Sequence, residues 1–348
     1  MRNIIGSFLS TLAEWYSFFL FSQLSFVIFP FYIFILGFIF RFLGGIIFGY
    51  LGDRINRKIA LIIINLLISI FSLLLFFFLN TFTLISYRVI QGLTLGGEWG
   101  GASTILLEAY AKSKMRGFIL SLIQLTVPLA IILSSISILV DWKISLLVIS
   151  AISLISIPLI SESMTVSEKT NFPLLDAIKE DWDGILKAIG IKVSESAIFY
   201  LFTSYVFYLG YKVTGIVIIA TSLQLFLIPF FGYLSDIIGR KRVEYIGLSF
   251  LIFSLPFFPN FLGEVFMSIS DSALYAPQSS IFTEIFKKKY RYTASSISYQ
   301  LASLIGGTIP SILLYSLKAN LFLVILPFLL VSFISLLIIS ETKSIYPR

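Results

Sequence analysis

A ten-residue segment, Gly49–Lys58 (GYLGDRINRK), returns later in the chain as Gly232–Lys241 (GYLSDIIGRK), and each copy stands between the second and third apolar span of its half. A weaker echo pairs Glu108, Arg116 and Gln124-Leu125 with Glu284, Arg291 and Gln300-Leu301. Charged and turn-forming residues divide the remaining sequence into apolar spans of about the twenty residues needed to cross a hydrocarbon core. Twelve are expected, at 4–29, 31–52, 59–79, 82–110, 117–140, 143–160, 184–210, 213–235, 242–259, 261–286, 292–317 and 319–340. An even number of spans per copy keeps both copies in one orientation, a parallel repeat about an axis along the membrane normal. The expected organisation is a six-helix bundle over 1–160, a cytoplasmic linker over 161–183 and a second six-helix bundle over 184–348. The fold class is an all-α membrane protein with two pseudo-symmetric halves.

Composition excludes the soluble alternatives. The chain is 58% hydrophobic and 12% charged, with a mean hydropathy of +0.99, whereas soluble domains carry roughly 25% charged residues. It contains no cysteine and no histidine, which removes disulfides, thiolate metal sites and the usual proton switch. Proton chemistry must therefore use carboxylates. The net charge of +7 is concentrated in short loops: Arg54, Arg57 and Lys58; Lys112, Lys114 and Arg116; Arg240, Lys241 and Arg242; Lys287, Lys288, Lys289 and Arg291. Loops of that kind stay in the cytoplasm, so both termini and the basic loops are expected inside and the surplus charge is topology, not nucleic-acid binding. Turns at the other helix ends, at Pro30, Asn80-Thr81, Asp141-Trp142, Gly210, Asn260 and Ala319-Asn320, leave no room for an extracellular domain. Arg2 is followed by a full-length apolar span without a small-residue cleavage site, so the first span is expected to be retained. The linker carries Glu162, Glu168, Lys169, Asp176, Lys179, Glu180 and Asp181, with Pro173, and suits a short surface helix.

The spans themselves carry charge. Glu14 lies in the first, Arg41 in the second, Glu98 in the fourth, Lys192 and Glu195 in the seventh and Asp271 in the tenth, all near the middle of a ~30 Å core. Charges at that depth face partners or a water-filled cavity. Arg88 and Gln91 stand nearer the opposite end of the fourth span from the basic loops, where the Arg88 stem could snorkel to the interface. Gly96/Gly100 and Gly97/Gly101 form two overlapping GxxxG pairs that permit close helix approach. Glu14 with Arg41, and Lys192 with Glu195 three residues on, can also be read as structural pairs. Asp271 has no charged neighbour within a turn, so its partner must come from another helix.

Residues 49–58 match the loop signature G-x-L-x-D-[RK]-x-G-[RK]-[RK], with Asn56 at the glycine position, and Arg88 to Gly92 match R-x-x-Q-G. On these motifs the chain resembles the major facilitator superfamily. Glu14-Trp15-Tyr16, Arg41 with Gly44-Gly45, Gly96-Gly97-Glu98, Tyr275-Ala-Pro277 through Glu284, and Arg291 through Gly307 resemble its metabolite:proton symporter branch. Ser17 and Phe42 replace the aspartate and proline usual there. The resemblance implies helices 1, 4, 7 and 10 around a central cavity. It also implies a cytoplasmic gate of loop ion pairs and helix-dipole contacts from Gly49, Asp53, Arg57, Gly232, Asp236 and Arg240, with Glu108 and Arg116 as partners and Glu284 and Arg291 in a similar role.

The expected function is proton-coupled symport of a small organic acid or zwitterion. Arg41, Arg88 and Lys192 suit a substrate carboxylate, which guanidinium binds bidentately. Glu14, Glu98, Glu195 and Asp271 leave at least one acid for a proton or an ammonium group, with Glu14, Glu98 and Asp271 as the proton candidates. A differently coupled or uncoupled facilitator of a sugar or other solute is the alternative. An integral membrane enzyme would need a surface acidic cluster, for which Asp181 and Asp183 are the nearest residues. No G-x-x-x-x-G-K-[ST] segment occurs, and no cofactor or metal is expected. The partners are then the substrate, protons and the lipid bilayer, for a monomer in the cell membrane.

Overall fold

The computed structural model describes residues 2–27, 32–160, 170–206, 214–318 and 320–340. The expectations at Pro30, Glu162, Glu168, Lys169, Gly210 and Ala319 lie outside them. The described residues form twelve long helices and no strand: α1 Arg2–Val27, α2 Tyr32–Arg54, α3 Arg57–Phe77, α4 Thr81–Ala109, α5 in two segments (Arg116–Gln124 and Thr126–Val140), α6 Trp142–Ser156, α7 Pro173–Tyr200, α8 Thr214–Ile238, α9 Arg240–Ser254, α10 Phe261–Ile285, α11 Arg291–Leu317 and α12 Leu321–Ile338. Among the described residues, eight stretches are long and apolar enough to cross a membrane by length and composition. The glycine- and charge-bearing α4 and α10 are not among them, as expected of helices whose polar groups are kept from lipid.

Helix starts follow local chemistry. Asn56 takes an extended backbone (φ −168°) and its side chain accepts from the Lys58 and Ile59 amides at 2.8 and 3.3 Å, capping α3. The second copy of the repeat solves the same corner differently: Gly239 adopts φ +105°, a conformation that disfavours a Cβ. Asp141 and Asn320 cap α6 and α12 in the manner of Asn56. Interruptions also have causes. Pro128 cannot donate to the Gln124 carbonyl, and α5 breaks at Leu125, whose amide turns to Leu122. The linker helix is not separate: it runs into α7 through one non-helical residue, Asp181 (φ −141°, ψ 29°). A π turn at Leu201–Tyr205 follows.

Contacts group the chain into two compact units. Unit 1 holds Met1–Ala109, Thr126–Trp182 and Phe286–Gln300. Within it α1 packs on α4, α6 and the second segment of α5, while α2 and α3 pack on α4. The α2–α4 approach is closest where glycines face backbone: a Cβ on Gly44 would strike the Leu93 carbonyl, and one on Gly96 the Arg41 carbonyl. The GxxxG pairs thus serve several neighbours, with Gly97 against Phe48, Gly100 against Ser296 and Gly101 against Tyr292. Unit 2 holds Tyr110–Leu125, Asp183–Ile285 and Leu301–Arg348. Here α10 packs against α8, α9 and the first segment of α5.

Candidate functional site

In unit 1 the acid and base of the first repeat copy, Asp53 and Arg57, form a cap on α11. Asp53 ends α2 with its carboxylate over the first turn of α11: Oδ2 accepts from the Thr293 amide and hydroxyl at 2.8 Å each, and Oδ1 from the Tyr292 amide at 3.3 Å. First-turn amides lack intrahelical partners and carry partial positive charge, which a carboxylate satisfies. Arg57 lies 3.1 Å from Asp53, pairs with Glu108 and donates to the Lys288 carbonyl at 2.8 Å. Arg291 stands 3.7 Å from Glu108. Gly49 is needed for this approach, since its Cβ would fall 2.7 Å from the Thr293 Cα.

Unit 2 repeats the device with the second copy. Asp236 accepts from the Gly117 and Phe118 amides of α5 at 2.8 and 2.9 Å. Arg240 lies 3.0 Å from Asp236 and 3.3 Å from Glu284, which also pairs with Arg116 at 2.9 Å. A Cβ on Gly232 would meet the Ser121 side chain. The ten gate residues therefore divide five and five, and Glu108 and Arg116 go to different sets. Arg57, Asp53, Arg240 and Asp236 are all buried, and removing one member of a buried pair typically costs about 3–5 kcal/mol.

Farther along the helices unit 1 gathers Glu14, Arg41, Arg88, Gln91 and Glu98, none more than 1% exposed. The α1 and α4 acids exchange hydroxyls: Thr11 donates to Glu98 Oε1 at 2.7 Å and Thr94 to Glu14 Oε2 at 2.9 Å. Glu14 and Glu98 lie within electrostatic reach of each other. Glu14 Oε1 and Glu98 Oε2 accept no hydrogen bond among the described residues. Ser17, at the usual aspartate position, donates to the Glu14 carbonyl at 2.8 Å. The Arg41 guanidinium lies 5.1 Å from the Trp15 and Phe18 rings and 5.5 Å from Phe38, and its Nε donates to Gln300 Oε1 at 2.9 Å. Arg88 does not snorkel: it is fully buried, donates to the Ile33 carbonyl at 2.9 Å and to Gln91, and shares the Phe18 ring with Arg41.

Unit 2 gathers Lys192, Glu195 and Asp271. Lys192 pairs with Glu195, donates to Gln278 Oε1 at 3.1 Å and lies 5.1 Å from the Tyr275 ring. Asp271 takes its partner from another helix, as expected: Gln224 of α8 donates to Oδ2 at 2.7 Å, while Oδ1 accepts nothing among the described residues. One member was missed from sequence. Glu244 of α9 is fully buried, neither of its oxygens has a hydrogen-bond partner among the described residues, and it feels the charges of Glu195 and Lys192. It stands two residues past the Arg240-Lys241-Arg242 run and reads there as loop charge; only the register of α9 turns it inward.

Outside the spans, hydrogen bonds from Lys289 and Lys287 hold the Glu180 carboxyl below its usual pKa. Tyr290 donates to Asp181 at 2.7 Å. Both contacts tie the linker helix to the segment preceding α11.

Residues 3–163 match the family described as sugar (and other) transporter, and residues 188–347 match the major facilitator superfamily. The chain is 27% identical over 270 residues to the shikimate transporter of Escherichia coli, covering 64% of this chain and 61% of that protein. It is 24% identical over 282 residues to a glycine betaine/proline/ectoine/pipecolic acid transporter of Dickeya dadantii, covering 67% of this chain and 56% of that one. The matches thus span little more than half of each relative's length. Among solved structures, a proton:xylose symporter superposes with a TM-score of 0.74 at 17% identity, over 99% of this chain and 96% of that one.

Proposed function

Because the chain belongs to the major facilitator superfamily, we propose that it is a multi-pass membrane transporter that carries a small organic acid or zwitterion together with a proton by alternating access. The observation that carries this reading is Arg41: a buried guanidinium, framed by Trp15, Phe18 and Phe38, in the same unit as Glu14 and Glu98. A planar fork inside an aromatic frame suits a carboxylate with an apolar body. Arg88 is a second buried cation in the same unit, and Lys192 gives unit 2 a cation of its own. Glu14, Glu98 and Asp271 each keep one oxygen without a donor among the described residues, which leaves an atom on each for a proton.

The names of the relatives support the same chemistry, since shikimate is a carboxylate and glycine betaine and proline are zwitterions. The sugar-transporter family match favours a second reading, a facilitator of neutral solutes. In the first reading the basic loops and both termini are cytoplasmic. The six-helix halves 1–160 and 184–348, joined by the linker 161–183, alternate as a monomer in the cell membrane, and the two repeat-loop sets close the cytoplasmic side.

Counterflow in proteoliposomes, with mono- and dicarboxylates, betaines, amino acids and neutral sugars as counter-substrates, separates the readings. Exchange with carboxylates or zwitterions that is lost in Arg41→Ala supports the first. Exchange with sugars alone overturns it.

A further inference from the structure

Gln300 holds a position that the charge reading does not use. It lies on α11 at the last residue of unit 1 and is 2% exposed. Its Oε1 accepts from Arg41 Nε at 2.9 Å, and its Nε2 donates to the Gly96 carbonyl of α4 at 3.1 Å. One amide therefore ties three helices together: the proposed substrate-binding arginine of α2, the glycine face of α4, and α11. The neighbouring contacts show how close this junction is. Gly45 faces Ser296 and the Gln300 side chain, Ser296 sits over Gly100, and Tyr299 stacks on Trp99 with ring centroids 4.0 Å apart. Two turns earlier, Asp53 caps the same helix.

We propose that Gln300 is a positioning residue that links occupancy of Arg41 to the docking of α11 on α2 and α4. This rests on the reading that Arg41 binds a substrate carboxylate. A carboxylate is a charged acceptor and forms a stronger bond to guanidinium than a neutral amide does. When it engages the Arg41 N–H groups it displaces Gln300 Oε1, and α11 loses its hydrogen bond to α2 at this junction while keeping the amide bond to Gly96, the aromatic stack and the Asp53 cap. Binding at Arg41 thereby loosens the helix whose first turn Asp53 caps.

The chain has no cysteine, so Ser296→Cys, a conservative change at a buried site against Gly45 and Gly100, supplies a unique reporter. In the full-length protein its labelling by N-ethylmaleimide is expected to be slow. Gln300→Ala should speed it at least tenfold. Gln300→Glu loses the donor to Gly96 but keeps an acceptor for Arg41, and should stay within a few-fold of the parent. Arg41→Gln should mimic Gln300→Ala, with no further gain in the double variant. Shikimate, as a carboxylate probe, should speed labelling of the parent and have no effect in Gln300→Glu.

Equal labelling of Gln300→Ala and parent overturns the proposal, as do additive effects of the Arg41 and Gln300 variants, or a Gln300→Glu as fast as Gln300→Ala. Failure of the underlying reading looks different. Gln300→Ala is then still fast, while Arg41→Gln retains counterflow of every carboxylate tested.

Discussion

Asp53→Asn is the perturbation whose size follows most directly from the geometry. The Asp53 carboxylate accepts three hydrogen bonds from the first turn of α11 and one ion pair from Arg57. Hydrogen bonds to a charged group contribute about 1.5–3 kcal/mol and neutral ones about 0.5–1.5, so neutralisation removes about 1 kcal/mol from each. Three bonds make about 3 kcal/mol, and at about 1.4 kcal/mol per tenfold this is roughly a hundredfold in the open fraction. The asparagine amide adds a donor against backbone donors, which acts in the same direction. Where opening is fast relative to modification, labelling of a buried group tracks the open population. N-ethylmaleimide labelling of Ser296→Cys should therefore rise about a hundredfold in Asp53→Asn, and further in Asp53→Ala. Labelling within twofold of the parent would refute the idea that this cap holds α11.

Three further outcomes follow from the same contacts. Arg41→Lys keeps the charge but loses the planar fork that binds a carboxylate bidentately; the half-saturation concentration for a carboxylate in counterflow should rise at least tenfold. Asn56→Ala should destabilise by about 1 kcal/mol and Asn56→Gly by a few tenths, the pattern of a helix cap, while Gly239→Ala should cost about 1–2 kcal/mol because of its positive φ; thermal unfolding in detergent ranks the three. Glu180 has a folded pKa below its unfolded value of about 4.3, so its tether to Lys287 and Lys289 is present above that value and is lost only as pH falls through the lower folded one; the protection of the 173–182 amides, relative to their intrinsic exchange rates at each pH, should be the same at pH 5 as at pH 7 and should fall below the usual carboxylate range.

The sequence made the helix count and most helix ends legible, because each depends on an apolar run of bilayer length bounded by charge. The repeat was legible for the same reason: Gly49, Asp53 and Arg57 and their counterparts Gly232, Asp236 and Arg240 keep fixed spacing. What they touch was not, because the first turns of α11 and α5 are remote in sequence. The split of Glu108 and Arg116 between two sets, for instance, has no local signal. Asn56 looked like a departure from a glycine position and is an alternative way to start a helix. The linker helix looked separate and instead continues into α7, since a single residue, Asp181, absorbs the bend. Glu244 was hidden by its neighbours, an acid beside three bases in a row. Gln300 had one faint mark, its echo with Gln124, and only packing shows that it reaches Arg41. In general the sequence revealed which residues are costly to bury, and the fold revealed which of them share partners.

The central claim is coupled uptake, and the most direct measurement is accumulation of a radiolabelled carboxylate, shikimate first, in proteoliposomes with an imposed inward proton gradient. Uptake should rise above equilibrium with the gradient and collapse with a protonophore, and Asp271→Asn should retain counterflow while losing gradient-driven accumulation. Uptake indifferent to the gradient, with counterflow intact, would contradict the account.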